Sequence, residues 1–200
     1  MRLFIITGPP AAGKSSVSEK IAESLEKSVL LEGDVIYHMI RKGSEVPWKS
    51  EKQLNLALQN LADLSKNFLS GGFDVVLDWV VMPEQLGKLI KKLNINDLKI
   101  HYIVLMADLE TLKMRDKGRE FPMGTRVDDL HIEFLRTGID SHMIFTENME
   151  EETVAMEILE NSDKYEWYID KSAQPVIPVL PLASLLMLLL ASIFLIVNSA

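Results

Sequence analysis

Short apolar runs alternate along the chain with stretches whose apolar positions recur every three or four residues. The run Arg-Leu-Phe-Ile-Ile-Thr at 2–7 reads as a strand buried on both faces of a parallel sheet. Further strands are expected at 29–31, 73–78, 99–106 and 143–145. Val17, Ile21 and Leu25 place one apolar stripe on a helix over 16–27, and a second helix is expected over 35–42. Leu54, Leu58, Leu61 and Phe68 line a face of a helix that starts at Ser50, where Gln53 completes a capping box, and stops at Gly71-Gly72. Helices are also expected over 83–93 with Pro83 at its start, over 109–114 behind Asp108 as N-cap, over 127–137, and from Asn148, capped with Glu151, to about Glu160. The segments 43–49 and 115–126 read as loops, the second polar and mobile. Strands alternating with helices imply an α/β fold: a parallel sheet with right-handed crossovers and helices on both faces. No internal repeat is visible, and the N-terminal apolar run, only a strand's length, is not read as a signal peptide.

The loop at 8–15, Gly-Pro-Pro-Ala-Ala-Gly-Lys-Ser, fits G-x-x-x-x-G-K-S at every fixed position, with a strand before it and a helix after. Its glycines let the backbone fold tightly and turn amides toward phosphate oxygens, while the positive end of the following helix faces the same anion. Gly8, Pro9, Pro10, Ala11, Ala12, Gly13, Lys14, Ser15 and Ser16 are the expected nucleotide-binding set. Lys14 is placed to reach the β- and γ-phosphates of ATP, and Ser15 to put its hydroxyl on Mg2+.

In an open parallel sheet, ligands sit at the carboxyl ends of the strands. Asp34 follows the second strand and Asp78 ends the third. A kinase acting on a hydroxyl needs one carboxylate to accept the proton and another to hold Mg2+ or its water. Asp34 suits the first role, and Asp78, with Ser15, the second. The competing readings are a helix N-cap for Asp34 and a solvated strand-end acid for Asp78. Glu32 is open between a metal partner and a surface residue.

Residues 115–126 carry Arg115, Lys117, Arg119 and Arg126 around Gly118 and Gly124. Guanidinium forks suit the charge of a transferring phosphoryl group, and a glycine-hinged loop can bring them in on closure. Arg119 is the expected catalytic cation beside Lys14, with Arg115 and Arg126 as nucleotide contacts. Asp116, Glu120, Asp128 and Asp129 dilute the patch, so a solvated helix end is the competing reading. His38 reads as a half-buried histidine, the Met residues as core filler, and Trp48 as a pocket wall or a cover for a core edge. The acceptor pocket is expected from residues around 35–60 and 79–85.

Composition narrows the classes. The chain has 200 residues and no cysteine, which excludes disulfides, thiolate zinc and cysteine nucleophiles. Four scattered histidines do not build a metal site. A net charge of −8 without a basic block argues against nucleic acid as a partner and leaves a small-molecule substrate. Charge is also unevenly spread. All 21 basic and 29 acidic residues lie at or before Lys171, and Ser172 to Ala200 carry none. As a helix, 176–197 spans about 33 Å against a hydrocarbon core of ~30 Å, although Pro178 and Pro181 leave only about 24 Å uninterrupted. Three readings fit: a C-terminal membrane anchor that keeps the domain cytoplasmic, a helix buried in a larger core or oligomer, and a foreign reading frame.

Strand, G-x-x-x-x-G-K-S, helix, strand ending near Gly33-Asp34, then a late Arg-rich segment: this arrangement resembles the small P-loop kinases, among them the shikimate- and gluconate-kinase-like proteins, chloramphenicol phosphotransferase and the zeta toxins. The likeness covers about residues 1–160. It implies a three-layer P-loop fold with a five-stranded sheet in order 2-3-1-4-5, an acid beside the substrate hydroxyl at Asp34, lid arginines at Arg115 and Arg119, and a border to the adenine around 146–148. Glu32-x-Asp34 stands where shikimate kinases have Asp-x-Asp, and no Gly-Gly-Gly motif follows the third strand, so shikimate itself is not expected. The chain is also similar to a tunicamycin-resistance protein. The expected organisation is a kinase domain at 1–165, a linker at 166–175 and a hydrophobic C-terminal helix at 176–197. The expected function is an ATP- and Mg-dependent kinase of a small-molecule hydroxyl. The alternatives are a nucleoside or nucleotide kinase and a membrane-tethered nucleotide-binding resistance or immunity protein that sequesters a ligand.

Overall fold

The sheet follows from the chain's apolar runs. In the computed structural model, which describes residues 1–95 and 97–168, five strands pair in parallel in the order β2-β3-β1-β4-β5. They are β1 (Arg2–Thr7), β2 (Ser28–Glu32), β3 (Asp74–Asp78), β4 (Lys99–Met106) and β5 (Met143–Phe145). The helices are α1 (Lys14–Ser24), α2 (Gly33–Tyr37), α3 (Glu51–Ser70), α4 (Pro83–Leu93), α5 (Leu109–Lys117), α6 (Thr125–Leu135) and α7 (Glu151–Glu160). The expected segment 176–197, and the linker from 169 onward, lie outside the described residues.

Alternation along each strand sends side chains to two cores. Leu3 and Ile5 join Leu58 and Leu61 of α3 and Leu86 and Leu89 of α4 on one face. Phe4 and Ile6 join Val17 and Ile21 of α1 and Val154 and Ile158 of α7 on the other. Strand β1 is therefore buried on both sides, as its unbroken apolar run requires. The register sets Ile6 opposite Asp78, and Asp78 opposite Glu32. The carboxyl ends of β1, β2 and β3 thus lie side by side at one edge of the sheet.

Several local expectations need correction. Helix α1 begins at Lys14 rather than 16 and gives way at Leu25, whose backbone is extended. Helix α2 begins at Gly33 and ends at Tyr37, so Asp34 stands in its first turn and Glu32, not Asp34, is the N-cap residue. The stretch 47–49 is a short 3-10 turn rather than a plain loop. Helix α5 runs on to Lys117, which places Arg115 and Lys117 on a helix rather than in the loop.

Two expected caps are not made. Ser50 makes no side-chain cap, and Gln53, the other half of the expected box, is engaged elsewhere. The Gln53 amide donates to Gly43 O at 2.7 Å, and its oxygen accepts from Glu45 N at 2.9 Å. With Tyr37 OH donating to Glu45 O at 2.7 Å, Gln53 fastens the segment after α2 to the start of α3. Asn148 does not cap α7 either; Glu150 is the N-cap residue, without a side-chain bond. Asp108 caps α5 as expected, accepting from Thr111 N at 2.9 Å.

Candidate active site

The loop after β1 is shaped by close approach. Gly8 has φ 138°, and a Cβ there would stand 2.0 Å from the carbonyl oxygen of Leu105, so no other residue fits. Ala11 and Gly13 also have positive φ, at 65° and 91°, which turns successive amides of the loop inward. Lys14 opens α1 and donates from Nζ to Pro9 O at 3.0 Å. Burial holds its ammonium below the usual lysine range; Asp78 and Asp34 oppose that shift and Arg119 adds to it. Those four groups therefore share one electrostatic site.

Asp78 is almost fully buried at the end of β3. Desolvation pushes its carboxyl above the usual aspartate range, against the pull of Lys14, a hydrogen bond from the Ser15 hydroxyl and Arg119, while Asp34 adds to the rise. The alternative of a solvated strand-end acid does not apply. Ser15 and Asp78 both line the cavity, and a hydroxyl and a carboxylate are hard oxygen donors of the kind that could hold Mg2+. Among the described residues no cluster of three or more His, Asp or Glu side chains forms a protein-only metal site.

Asp34 is exposed, and its carboxylate accepts a hydrogen bond from the Trp79 indole at 3.0 Å. That contact depends on Gly33: a Cβ there would lie 2.1 Å from Trp79 Cγ. Trp79 is itself placed by the chain just after β3. Thr7 Oγ1 accepts from Val81 N at 2.8 Å, and Tyr102 OH donates to Val81 O at 2.6 Å. His38 bonds only the backbone oxygen of Asp34, at 2.7 Å, and faces solvent. Glu32 is exposed and does not reach the cavity.

The basic segment divides. Arg115 donates to Thr146 O at 3.1 Å, which ties it to the chain after β5, and Thr146 in turn donates toward Ala12 O at 3.3 Å. Arg119 lies 3.9 Å from Asp116. Arg126 reaches Asp129 at 3.2 Å and Glu133 at 3.7 Å, and its guanidinium sits 5.1 Å from the centre of the Trp48 ring. Asp116 is buried, and its carboxylate accepts from Met123 N at 2.9 Å and Gly124 N at 3.0 Å. It orders the turn between α5 and α6 from beneath. In the sequence Asp116 stands out only as an acid that dilutes the basic patch.

A cavity of about 750 Å3 opens between these elements. Pro10, Ala11, Gly13, Lys14, Ser15, Ser16, Asp34, Asp78, Arg115, Arg119 and Arg126 all line it. Gly8, Pro9 and Ala12 stand behind it as buried backbone. Trp48 and Leu54, within the expected 35–60 range, and Trp79, Val80, Met82 and Gln85, within 79–85, complete one end. Met123, just before α6, and Leu130 and Glu133 on it also line the cavity, and no sequence motif singles these three out.

Solved structures share this fold at low identity. A sugar kinase from Janibacter sp. HTCC2649 is 14% identical, with a TM-score of 0.63, covering 82% of this chain and 95% of that one. The tunicamycin resistance protein of Deinococcus radiodurans is 19% identical, with a TM-score of 0.60, covering 84% and 99%. The APS kinase CysC of Mycobacterium tuberculosis, solved in complex with AMPPNP and APS, is 15% identical, with a TM-score of 0.57, covering 80% and 95%. No curated protein matches the chain. The P-loop, the sheet order and the cavity at the strand ends all fall within or beside residues 3–139, which match the AAA domain family AAA_33, and the chain belongs to that family.

Proposed function

We infer that the protein transfers the γ-phosphate of MgATP to a hydroxyl of a small molecule. The observation that carries this reading is the shared cavity: the P-loop residues Lys14 and Ser15, the strand-end Asp78 and a second carboxylate, Asp34, all line one space. Kinase neighbours, one solved with AMPPNP, support it. The loop amides and the start of α1 cradle the phosphates. Bound there, Mg2+ would be held through Ser15 and Asp78 and would neutralise phosphate charge. Asp34 accepts the proton of the acceptor hydroxyl as its oxygen bonds the γ-phosphorus, and the bond to the β-phosphate oxygen breaks to release ADP. Lys14 and Arg119 balance the charge that spreads over the transferring oxygens, and Arg115, beside Thr146, borders the nucleotide.

The test is Asp34→Asn, which keeps shape and removes the base. Transfer is expected to fall by about 10²–10⁴-fold while MgATP affinity stays unchanged. Turnover at the original rate would remove Asp34 from this role. MgATP binding by the original protein with no transfer to any acceptor would favour a nucleotide-binding protein that sequesters its ligand.

A further inference from the structure

Strand β5 ends beside the phosphate-binding loop. Thr146, the next residue, is 4% exposed and does not line the cavity. Its backbone N–H donates to Met106 O at 2.9 Å, which continues the pairing of β5 with β4. Its hydroxyl lies 3.1 Å from the same carbonyl oxygen and 3.3 Å from Ala12 O, so one proton is shared between the two. The hydroxyl oxygen also accepts from Arg115 Nη1 at 3.4 Å, while Arg115 Nη2 donates to Thr146 O at 3.1 Å. One buried side chain thus joins the end of β4, the loop after β1 and helix α5.

Two of these bonds bear on the cavity. A trans peptide sets its C=O and N–H in opposite directions. Thr146 holds the Ala12 carbonyl from behind, so the N–H of that peptide, which belongs to Gly13, points toward the cavity that Gly13 lines. Without the hydroxyl, the Ala12 carbonyl keeps no partner among the described residues, and the peptide is free to turn and take its donor with it. Arg115 lines the same cavity, and the two oxygens of Thr146 hold its fork. A guanidinium ordered beforehand loses less rotamer freedom when an anion arrives. The resemblance to small kinases sets 146–148 beside an adenine. The Thr146 hydroxyl is spent on protein groups, so its part in binding runs through the loop and Arg115.

We propose that Thr146 is a positioning residue of the nucleotide site: its hydroxyl sets the Gly13 N–H and the Arg115 guanidinium before a nucleotide binds. This rests on the reading of the loop as a MgATP site and adds to it a residue outside the motif.

Calorimetric titration of the full chain with MgAMPPNP tests it. Thr146→Val and Thr146→Ala both remove the hydroxyl; the first keeps its bulk, and the second sets no methyl against the two carbonyls. Each is expected to bind about tenfold more weakly, and Thr146→Ser, which keeps the hydroxyl, within about twofold of the original. Arg115→Ala is expected to weaken binding as well. Joined to Thr146→Val, it should lose less than the product of the two single losses, because part of the Thr146 effect runs through Arg115. A merely structural Thr146 would lower the urea midpoint without that coupling. Original affinity in the Val and Ala variants overturns the proposal. So does a loss in the Val variant alone, an equal loss in Thr146→Ser, or full multiplication of the losses. No binding by the original chain would defeat the MgATP reading itself, and this inference with it.

Discussion

At the scale of single residues, the site turns on contacts that the motif does not contain. Asp34 is fixed by the Trp79 indole, and Trp79 comes so close to the α2 backbone that only glycine fits at position 33. Trp79→Phe keeps a buried ring and removes the N–H donor. Its expected effect is a drop in kcat of about tenfold with the KM for ATP unchanged, since Asp34, the base proposed above, loses its orientation and the P-loop does not. A Phe variant whose kcat matches the original would reduce Trp79 to packing. Gly33→Ala is expected to cost about 1–3 kcal/mol, read as a fall in the urea midpoint, because the new methyl overpacks the ring. An unchanged midpoint would show that the ring has room to yield. The spacing of Gly8, Gly13, Lys14 and Ser15 is legible because a phosphate-binding loop has one geometry written into a short run. The Trp79–Asp34 bond joins residues 45 apart in sequence, and no local pattern reports it.

At the scale of elements, the strands and most helices follow from hydrophobic period, whereas element ends and caps follow from tertiary partners. Ser50 and Gln53 have the right spacing for a capping box, yet Gln53 satisfies Gly43 and Glu45 instead, since those backbone groups have no ladder of their own. The α5–α6 turn gives a similar lesson. Its charges and glycines read as a mobile loop, but the buried Asp116 carboxylate holds two of its amides. Hydrogen bonds to a charged group contribute about 1.5–3 kcal/mol each. Asp116→Ala is therefore expected to speed amide exchange at Met123 and Gly124 by about 10- to 100-fold, with the amides of β1 and β4 unaffected. Transfer should slow in the same variant, because Arg119 and Arg126 flank that turn. Equal exchange rates in the two proteins would mean that the turn is held by something other than Asp116.

At the scale of the whole molecule, the order β2-β3-β1-β4-β5 brings the ends of β1, β2 and β3 together and so assembles the site from segments far apart in the chain. That order was available from resemblance; alternation alone gives a parallel sheet and not its sequence of strands. The far part of the fold is closed by His101, fully buried on β4. It stacks on Phe4 at 4.7 Å and bonds Ser162 O through Nδ1 at 2.8 Å, while its Nε2 has no partner among the described residues. Burial pushes this imidazole below the ordinary value of 6.5, and Arg2 and Lys99 reinforce that against the Ser162 carbonyl and Glu166. Because the folded chain resists the proton that the unfolded chain accepts, His101 costs no stability above pH 6.5 and costs progressively more as pH falls below it. The slope from one such group approaches about 1.4 kcal/mol per pH unit. Urea titrations at a series of pH values on either side of 6.5 should show that loss in the original chain and a flatter profile in His101→Gln. Parallel profiles for the two proteins would assign the acid sensitivity to the carboxylates and leave His101 as a packing residue that never takes up its proton before the fold is lost.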